Sequence, residues 1–416
     1  MLAYNLWPNA THANLKYLRP PVALSDREPE REPDSKRTKR RVRVLIVDDS
    51  ALMRRLLSDL LSSSPEIEIV GTARDGREAI LQAVRLRPDV ITLDVEMPEV
   101  SGLDALPSLL AVHEAPVIMV SALTQEGADV TLQALELGAV DFMPKPERNQ
   151  LAEIRANRDL LVAKVLAAAE SQVRRPRRST SFSSATSVAT RTAVRKPPHQ
   201  LSATASTPVP TSAPAQVFPC LVLGISTGGP QALSQIFPLL APPMPPILVV
   251  QHMPAPFTGI FAERLNKYSS LEVKQAEEGD LVLPDRILIA PGGRHMVVSG
   301  HPPRARIALL NEPPVSGHRP SVDVLFQSVA RVYQGSAIGL LMTGMGRDGV
   351  EGCKAILAAG GFTLGQDEGS SVVYGMNKAA FLEGAIKVQF ALDELPGIMK
   401  DIITFRGELE LPTSSG

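Results

Sequence analysis

The chain of 416 residues has little cysteine and few aromatic residues. Its only cysteines are Cys220 and Cys353, which excludes the disulfide framework of a small secreted domain. Aromatic residues make up 4% of the chain, too few for a surface on which nucleic-acid bases stack. We therefore expect no nucleic-acid partner. The formal net charge of −1 by itself indicates no class of partner.

Targeting and membrane-spanning patterns are also lacking. The first residues do not show the basic, apolar and small-residue order of a signal peptide. No run of about 18 apolar residues predicts a transmembrane helix. We therefore expect a cytoplasmic protein that does not insert into a membrane.

Composition and periodicity divide the sequence into four parts. Residues 1–40 lack hydrophobic periodicity and predict a disordered extension. In residues 41–165 short apolar runs alternate with amphipathic helical patterns, which predicts a doubly wound parallel sheet. Residues 166–216 are rich in Ser, Thr, Ala and Pro and predict a flexible basic linker. Apolar runs return in residues 217–408, which predict a second α/β domain.

Five polar residues follow strand candidates of the first α/β segment. Asp48 and Asp49 follow VRVLIV, Asp94 follows VITL, Ser121 follows VIMV and Lys145 follows VDFMP. Each acid alone is explained by helix capping, but the ends of parallel strands face one crevice. Three carboxylates there suit Mg²⁺. With a lysine and a hydroxyl to hold anionic oxygens, the set predicts a carboxylate nucleophile that accepts a phosphoryl group.

The segments VDDS, LDVEMP, VSA and FMPKP resemble the response-regulator receiver domain. The resemblance implies a flavodoxin-like fold and a histidine kinase as phosphodonor. It implies that Asp94 is phosphorylated and that Asp48 and Asp49 bind Mg²⁺ together with it. It further implies that Ser121 is the switch hydroxyl and that Lys145 contacts the phosphoryl group.

Three polar residues follow apolar runs of the second α/β segment. Ser226 lies in LGISTGG, His252 in VVQHMP and Asp348 in TGMGRDG. Taken singly, they are explained by a tight turn or phosphate cradle, a packed histidine and a helix cap. If the three strands end at one crevice, Ser226 is a nucleophile, His252 takes its proton and Asp348 orients the imidazole. The glycine-rich turn also directs backbone N–H groups toward Ser226, as an oxyanion site requires.

These segments, together with IAPGGRHM, PSVDVLF and QDEGSSVVYGM, resemble the catalytic domain of the chemotaxis protein-glutamate methylesterase. The resemblance implies a doubly wound, mostly parallel, Rossmann-like sheet with no cofactor in the esterase site. It implies a triad of Ser226, His252 and Asp348, with oxyanion N–H groups at Thr227 and Met345. The implied activity is hydrolysis of glutamate methyl esters on methyl-accepting chemotaxis receptors, and deamidation of receptor glutamines.

Two other functions fit parts of the pattern. GISTGG matches the Gly-x-Ser-x-Gly elbow of α/β-hydrolases, for which Asp285 and His318 would supply the acid and the base. The same segment could bind a partner or a nucleotide in a non-enzymatic domain, although it lacks a P-loop lysine and GxGxxG spacing. Which histidine, His252 or His318, lies beside Ser226 separates the two enzymatic hypotheses.

A switch domain and an enzyme in one chain also predict control. A switch requires two states to bias. We expect the first α/β domain to lie against the second and to restrict access to Ser226 until Asp94 is phosphorylated.

Overall fold

A computed structural model describes residues 40–122, 124–145, 151–171 and 219–408. The predicted N-terminal extension and almost all of the predicted linker lie outside these ranges. Across the described residues, every helix is too short or too polar to cross a bilayer.

The first α/β part is a five-stranded parallel sheet covered by five helices. Its strands are β1 Val42–Val47, β2 Ile67–Ala73, β3 Val90–Asp94, β4 Val117–Ser121 and β5 Asp141–Pro144. Its helices are α1 Ala51–Leu61, α2 Gly76–Leu86, α3 Gly102–Val112, α4 Gln125–Leu137 and α5 Leu151–Glu170. The strand order is β2-β1-β3-β4-β5, and every pair is parallel. The predicted doubly wound, flavodoxin-like fold is confirmed, and α5 continues past residue 165 to Glu170.

Local sequence explains where these elements begin. All residues of β3 and β4 are buried, as expected for apolar strands covered on both faces. Side chains of Ser50, Asp75, Ser101 and Thr124 each accept a backbone N–H in the first turn of the helix that follows. These N-caps satisfy donors that have no partner inside the helix, and they fix the turns between strand ends and helices.

The second α/β part is built on a seven-stranded parallel sheet. Its strands are β6 Cys220–Ile225, β7 Ile247–Gln251, β8 Glu272–Gln275, β9 Arg286–Ile289, β12 Ala337–Leu341, β13 Phe362–Gln366 and β14 Val388–Phe390. A separate antiparallel pair consists of β10 His295–Ser299 and β11 Arg306–Leu310. The helices are α6 Gly229–Ile236, α7 Ala255–Tyr268, α8 Val322–Tyr333, α9 Val350–Ala358, α10 Met376–Leu382 and α11 Leu395–Glu408. The order β14-β13-β12-β6-β7-β9-β8 confirms the predicted doubly wound, mostly parallel sheet.

The apolar runs did not reveal every strand of this part. The apolar segment RIALLN forms β11, which pairs with β10 outside the main sheet. Strands joined by a short turn pair in this antiparallel way. Strand β13 was not predicted, because its sequence FTLGQ is short and contains a glycine.

The strand order creates one crevice. From β6 the chain continues to β7 on one side, whereas β12 lies against the other side of β6. Such a reversal point is where α/β sheets bind ligands, outside the carboxyl ends of the strands. Ser226 follows β6, His252 follows β7, and the loop that carries Asp348 follows β12. Three adjacent strands therefore deliver the three predicted residues to the same edge.

Candidate catalytic site and phosphoryl-acceptor site

The turn after β6 presents Ser226 at the crevice. The Ser226 N–H donates to the Thr343 carbonyl oxygen at 3.0 Å, and the Gly229 N–H closes the turn on the Ser226 carbonyl oxygen at 2.8 Å. Gly228, the N-cap residue of α6, has a φ of 79°, a left-handed conformation that glycine adopts without strain. A Cβ atom at Gly344 would lie 2.7 Å from the Ser226 Cβ, so the loop after β12 approaches the serine closely. The serine side chain is partly exposed.

Two backbone N–H groups near the serine have no acceptor among the described residues. They belong to Thr227, which follows Ser226, and to Met345, which follows Gly344. An unpaired backbone N–H close to a nucleophile can donate to an oxyanion. These are the two positions at which the family resemblance implied oxyanion donors.

His252 lies beside Ser226 on the next strand end. Its N–H donates to the Ile225 carbonyl oxygen at 3.1 Å. In its ring, Nε2 is 2.8 Å from Oδ2 of Asp348, and the side chain is only 8% exposed. Nδ1 is buried and has no hydrogen bond within the described residues. The ring nitrogens are therefore used in the reverse sense of the serine-protease triad, in which Nδ1 faces the carboxylate.

The N-terminus of α8 binds the Asp348 carboxylate. Oδ1 accepts the Ser321 hydroxyl at 2.7 Å and the Asp323 N–H at 3.0 Å. Oδ2 accepts the Val322 N–H at 2.7 Å in addition to His252. Burial by itself raises the pKa of Asp348, but the hydrogen bond and charge of His252 and these N–H and O–H donors lower it below its ordinary value. The carboxylate is therefore anionic and fixed at two oxygens.

Asp323 fixes the loop that carries Asp348. Its Oδ1 accepts the N–H groups of Gly349 and Gly352 at 2.9 and 2.7 Å, at the start of α9. Burial is the main cause that raises the pKa of Asp323. Ser321 and Asp323 were not among the site residues predicted from the sequence. The available signal was the segment PSVDVLF, which contains both, but nothing in it indicated which carboxylate its N–H groups bind.

The α/β-hydrolase pair does not assemble. Asp285 precedes β9 at the amino end of the sheet, where its Oδ1 accepts the Met244 N–H at 2.6 Å. His318 lies at the opposite edge and stacks on His252, with ring centroids 3.7 Å apart and an interplanar angle of 3°. Both histidines are therefore at the site, and Asp348 is bonded to His252.

The first α/β part contains the predicted acidic cluster. One oxygen from each of Asp48, Asp49 and Asp94 lies within 4.8 Å of the other two. Nζ of Lys145 is 2.7 Å from Oδ2 of Asp94 and 3.3 Å from Oδ2 of Asp48. Burial raises the pKa of Asp94 to about 6, against the opposite effect of Lys145. The hydroxyl of Ser121 does not bond to Asp94; it is 3.3 Å from the Gly127 carbonyl oxygen.

This cluster fits a divalent cation. Oδ2 of Asp48 is fully buried and has no hydrogen bond within the described residues, although Lys145 lies nearby. A buried carboxylate oxygen of this kind is costly without a counter-charge, and oxygen ligands are those that Mg²⁺ prefers. Arg54, which was not predicted from the sequence, donates to the carbonyl oxygens of Asp48 and Asp49 at 2.7 and 2.9 Å and orders the acidic turn.

The first α/β part also contacts the turn of the catalytic serine. The Thr227 hydroxyl donates to Oδ2 of Asp141 in β5 at 2.5 Å, and Lys164 of α5 lies 2.7 Å from the same oxygen. Next to them, Phe142 stacks on Phe257 of α7 with ring centroids 4.4 Å apart. Thr227 is only 3% exposed. A strand of one part therefore covers the residue adjacent to Ser226 in the other.

Charged groups extend this contact along α4. Arg264 of α7 lies 2.7 Å from Asp129 and 2.7 Å from Glu136, and its side chain is 16% exposed. Gln231 of α6 donates hydrogen bonds of 2.9 and 2.6 Å to two carbonyl oxygens at the carboxyl end of α4. The contact thus combines an aromatic pair, a partly buried ion-pair network and hydrogen bonds from a glutamine side chain to backbone carbonyl oxygens.

Comparisons with known proteins cover both parts of the chain. Residues 221–399 match the family model described as CheB methylesterase, and residues 44–156 match that of the response regulator receiver domain. A protein-glutamate methylesterase/protein-glutamine glutaminase of Treponema denticola is 44% identical over 362 residues, 85% of this chain and 96% of that protein. The protein of the same name from Pyrococcus horikoshii is 41% identical over 370 residues, 88% of this chain and 95% of that protein. A relative from Koribacter versatilis is 44% identical over 361 residues, 86% of this chain and 95% of that protein.

Proposed function

Since the chain belongs to the family of receiver-linked protein-glutamate methylesterases/protein-glutamine glutaminases, we propose that it is a phosphorylation-regulated serine esterase. Its substrates are glutamate methyl esters on methyl-accepting chemotaxis receptors, and it also deamidates receptor glutamines. The observation that carries the proposal is the 2.8 Å contact of His252 Nε2 with Asp348, which leaves the buried Nδ1 without a hydrogen bond within the described residues.

The catalytic cycle begins with the serine. Ser226 Oγ attacks the ester carbonyl carbon while Nδ1 of His252 takes the hydroxyl proton. The carbonyl electron pair moves to oxygen, and the N–H groups of Thr227 and Met345 donate to that oxyanion. The imidazolium then returns the proton to the methoxy oxygen, the C–O bond breaks, and methanol leaves an acyl-serine.

Water completes the cycle by the same chemistry. His252 takes a proton from water, the hydroxide attacks the acyl carbon, and the Ser226 oxygen leaves with the proton from the imidazolium. The products are a glutamate side chain and the free serine. With glutamine as substrate the leaving group is ammonia instead of methanol, and every other step is unchanged. Asp348, anionic and fixed by α8, stabilises the imidazolium in both reactions.

We propose that the acidic cluster accepts the phosphoryl group that regulates the esterase. A carboxylate oxygen of Asp94 attacks the phosphorus of a phosphohistidine on the partner kinase, and the P–N bond breaks. Asp48, Asp49 and Asp94 would hold Mg²⁺, which would neutralise part of the negative charge of the transferred phosphoryl group. Lys145, already 2.7 Å from Asp94, holds a phosphoryl oxygen. The Ser121 hydroxyl turns from the Gly127 carbonyl to the phosphoryl group.

We propose that phosphorylation breaks the contact by which the first α/β part covers the serine turn. Asp141 and Lys145 lie on or directly after the same short strand, β5. A change around Lys145 therefore reaches Asp141, which accepts the Thr227 hydroxyl beside Ser226. The proposed domains are a receiver that begins at residue 41 and includes α5 to Glu170, and an esterase at 217–408, joined by a basic linker.

We expect methanol release from methylated receptor to rise when Mg²⁺ and a small acyl-phosphate phosphodonor are added to the full-length chain. Phosphorylation shifts the population away from the state in which the first α/β part covers the serine turn. Asp94→Ala should abolish the rise, and so should chelation of Mg²⁺, because both prevent phosphoryl transfer. Production of methanol is measured with time.

Two outcomes contradict the proposal. If no methanol is released in any condition, the chain is not this esterase, and the binding-domain hypothesis gains support. If Asp94→Ala responds to the phosphodonor as fully as the wild type does, the acceptor is another residue.

Arg264→Ala should raise methanol release in the absence of phosphodonor. Loss of this ion-pair network removes on the order of 1 kcal/mol from the contact that covers the serine turn, which corresponds to an increase of about fivefold. Stimulation by the phosphodonor should fall by a similar factor. The rates of methanol release with and without phosphodonor are measured for wild type and variant in the same assay.

Arg286→Ala provides a matched control. Arg286 is 2.7 Å from Glu272, and both lie on neighbouring strands within the second α/β part. Its loss removes an ion pair without touching the receiver, so basal release should stay at the wild-type level. Equal basal rates for wild type and Arg264→Ala would show that α4 and α7 do not form the inhibitory contact.

A further inference from the structure

The proposed cycle does not use His318, yet the imidazole of this residue stacks on the imidazole of the catalytic histidine. The rings of His318 and His252 are nearly parallel, 3° apart in plane, with centroids separated by 3.7 Å. At this separation one face of the His252 ring is covered by the other imidazole. His318 is itself only partly exposed. The contact is a stacked pair in the site.

His252 needs a second restraint. Within the described residues its ring makes one hydrogen bond, from Nε2 to Asp348. A single bond at one nitrogen fixes the distance of the ring but permits rotation about that bond, which swings Nδ1 through an arc. Proton transfer from serine requires Nδ1 to keep its direction, because small misplacements of a catalytic group lower the rate strongly. A flat surface against the ring face restricts this rotation.

The loop that carries His318 is itself anchored. His318 and Val315 exchange backbone hydrogen bonds of 2.9 and 3.0 Å, which closes a tight turn. The next residue, Arg319, donates from its guanidinium to the Glu312 carbonyl oxygen at 3.0 Å and accepts the Gly293 N–H at its own carbonyl oxygen at 3.1 Å. A ring on such a turn gives a fixed surface instead of a mobile one.

The charge state of His318 suits this position. Burial is the main cause that lowers its pKa to about 4, and the charges of His252 and Lys164 act in the same direction while Asp348 opposes them. His318 is therefore neutral when His252 becomes an imidazolium during the reaction. A neutral π face attracts a cation, whereas a second imidazolium would repel it.

We propose that His318 is a positioning residue that holds the plane of the His252 ring by stacking and offers its neutral face to the imidazolium. The inference rests on the proposed esterase function and adds a residue to it. It gives His318 no proton transfer, in contrast to the α/β-hydrolase hypothesis, in which His318 is the base. The property that matters is then a flat π surface and not a ring nitrogen.

Three substitutions test this on the full-length chain with Mg²⁺ and phosphodonor, with methylated receptor as substrate. His318→Ala removes the surface and should lower kcat by roughly 10- to 100-fold, the loss expected for a misplaced catalytic group. KM should change little, because substrate binding is not affected. His318→Phe restores a flat ring without nitrogens and should recover most of kcat. His318→Leu fills space without a flat face and should stay slow, which decides the question even if the Ala variant folds poorly.

Several results would overturn the inference. A wild-type kcat in His318→Ala shows that the stack is dispensable. A Phe variant as slow as the Ala variant shows that a ring nitrogen is required, and equal rates for Phe and Leu show that bulk suffices. His301→Ala, at an exposed histidine in the β10–β11 turn, is the matched control and should keep wild-type rates. Ser226→Ala is assayed in parallel: if it remains active, the proposed function fails, whereas if it is inactive and His318→Ala is normal, this inference alone fails.

Discussion

Ser226→Ala is expected to lower methanol release by roughly 10⁵-fold or more, the size of loss seen when a triad nucleophile is removed. The hydroxyl is the group that forms the acyl bond, and alanine offers no atom in its place. The oxyanion donors and the substrate contacts remain, so a residual rate above that of water is expected. The measurement is methanol release by the full-length chain under phosphodonor, over a time long enough to detect that residual rate.

The fold should survive this substitution. Within the described residues the Ser226 hydroxyl makes no hydrogen bond, and its backbone contacts with Thr343 and Gly229 are retained by alanine. The melting temperature should therefore stay at the wild-type value. Ser299→Ala, on the hairpin strand β10, is a control that removes a hydroxyl away from the crevice and should retain full activity. If Ser226→Ala turned over substrate at close to the wild-type rate, Ser226 would not be the nucleophile and the proposed triad would be wrong.

The sequence predicted that each of these polar residues lies at the end of a strand. Apolar runs identify the buried strands, and the first polar residue after a run identifies where the strand stops. The order of those strands in the sheet could not be predicted from the sequence. The crevice exists because β6 lies between β12 and β7, although β12 begins more than a hundred residues after β6. Pairings over such distances depend on how whole helices cover the sheet, and local patterns do not encode that. The clustering of Ser226, His252 and Asp348 was thus inferred from the fold class, and the structure gives its geometry.

Contacts made by the backbone, and contacts between the two α/β parts of the chain, could not be predicted from the sequence. Asp348 is bound by N–H groups of Val322 and Asp323, and any residue types there other than proline would offer those donors. The stacking of His318 on His252 depends on a turn closed by backbone hydrogen bonds between Val315 and His318. The contact of Thr227 with Asp141 joins residues on either side of the predicted linker. Each of these depends on tertiary packing.

His252→Ala is expected to be about as damaging as Ser226→Ala, because nucleophile and base act as a unit and neither works alone. Without the imidazole nothing accepts the serine proton, and nothing returns a proton to the methoxy oxygen. Combining the two substitutions should therefore lower the rate no further than either one does. Asp348→Asn should do less harm, since it disturbs the orientation of the imidazole but leaves the attacking pair in place.

Addition of free imidazole distinguishes loss of the base from a structural defect. His252→Ala vacates a space beside His318 and Asp348, and both groups that held the ring remain to bind a free imidazole. Partial recovery of methanol release that depends on imidazole concentration and pH is the expected result, and His252→Ala combined with Ser226→Ala should show none. If His252→Ala proved as active as wild type while both His318→Ala and His318→Phe were inactive, His318 would be the base, and the α/β-hydrolase hypothesis would replace the one proposed.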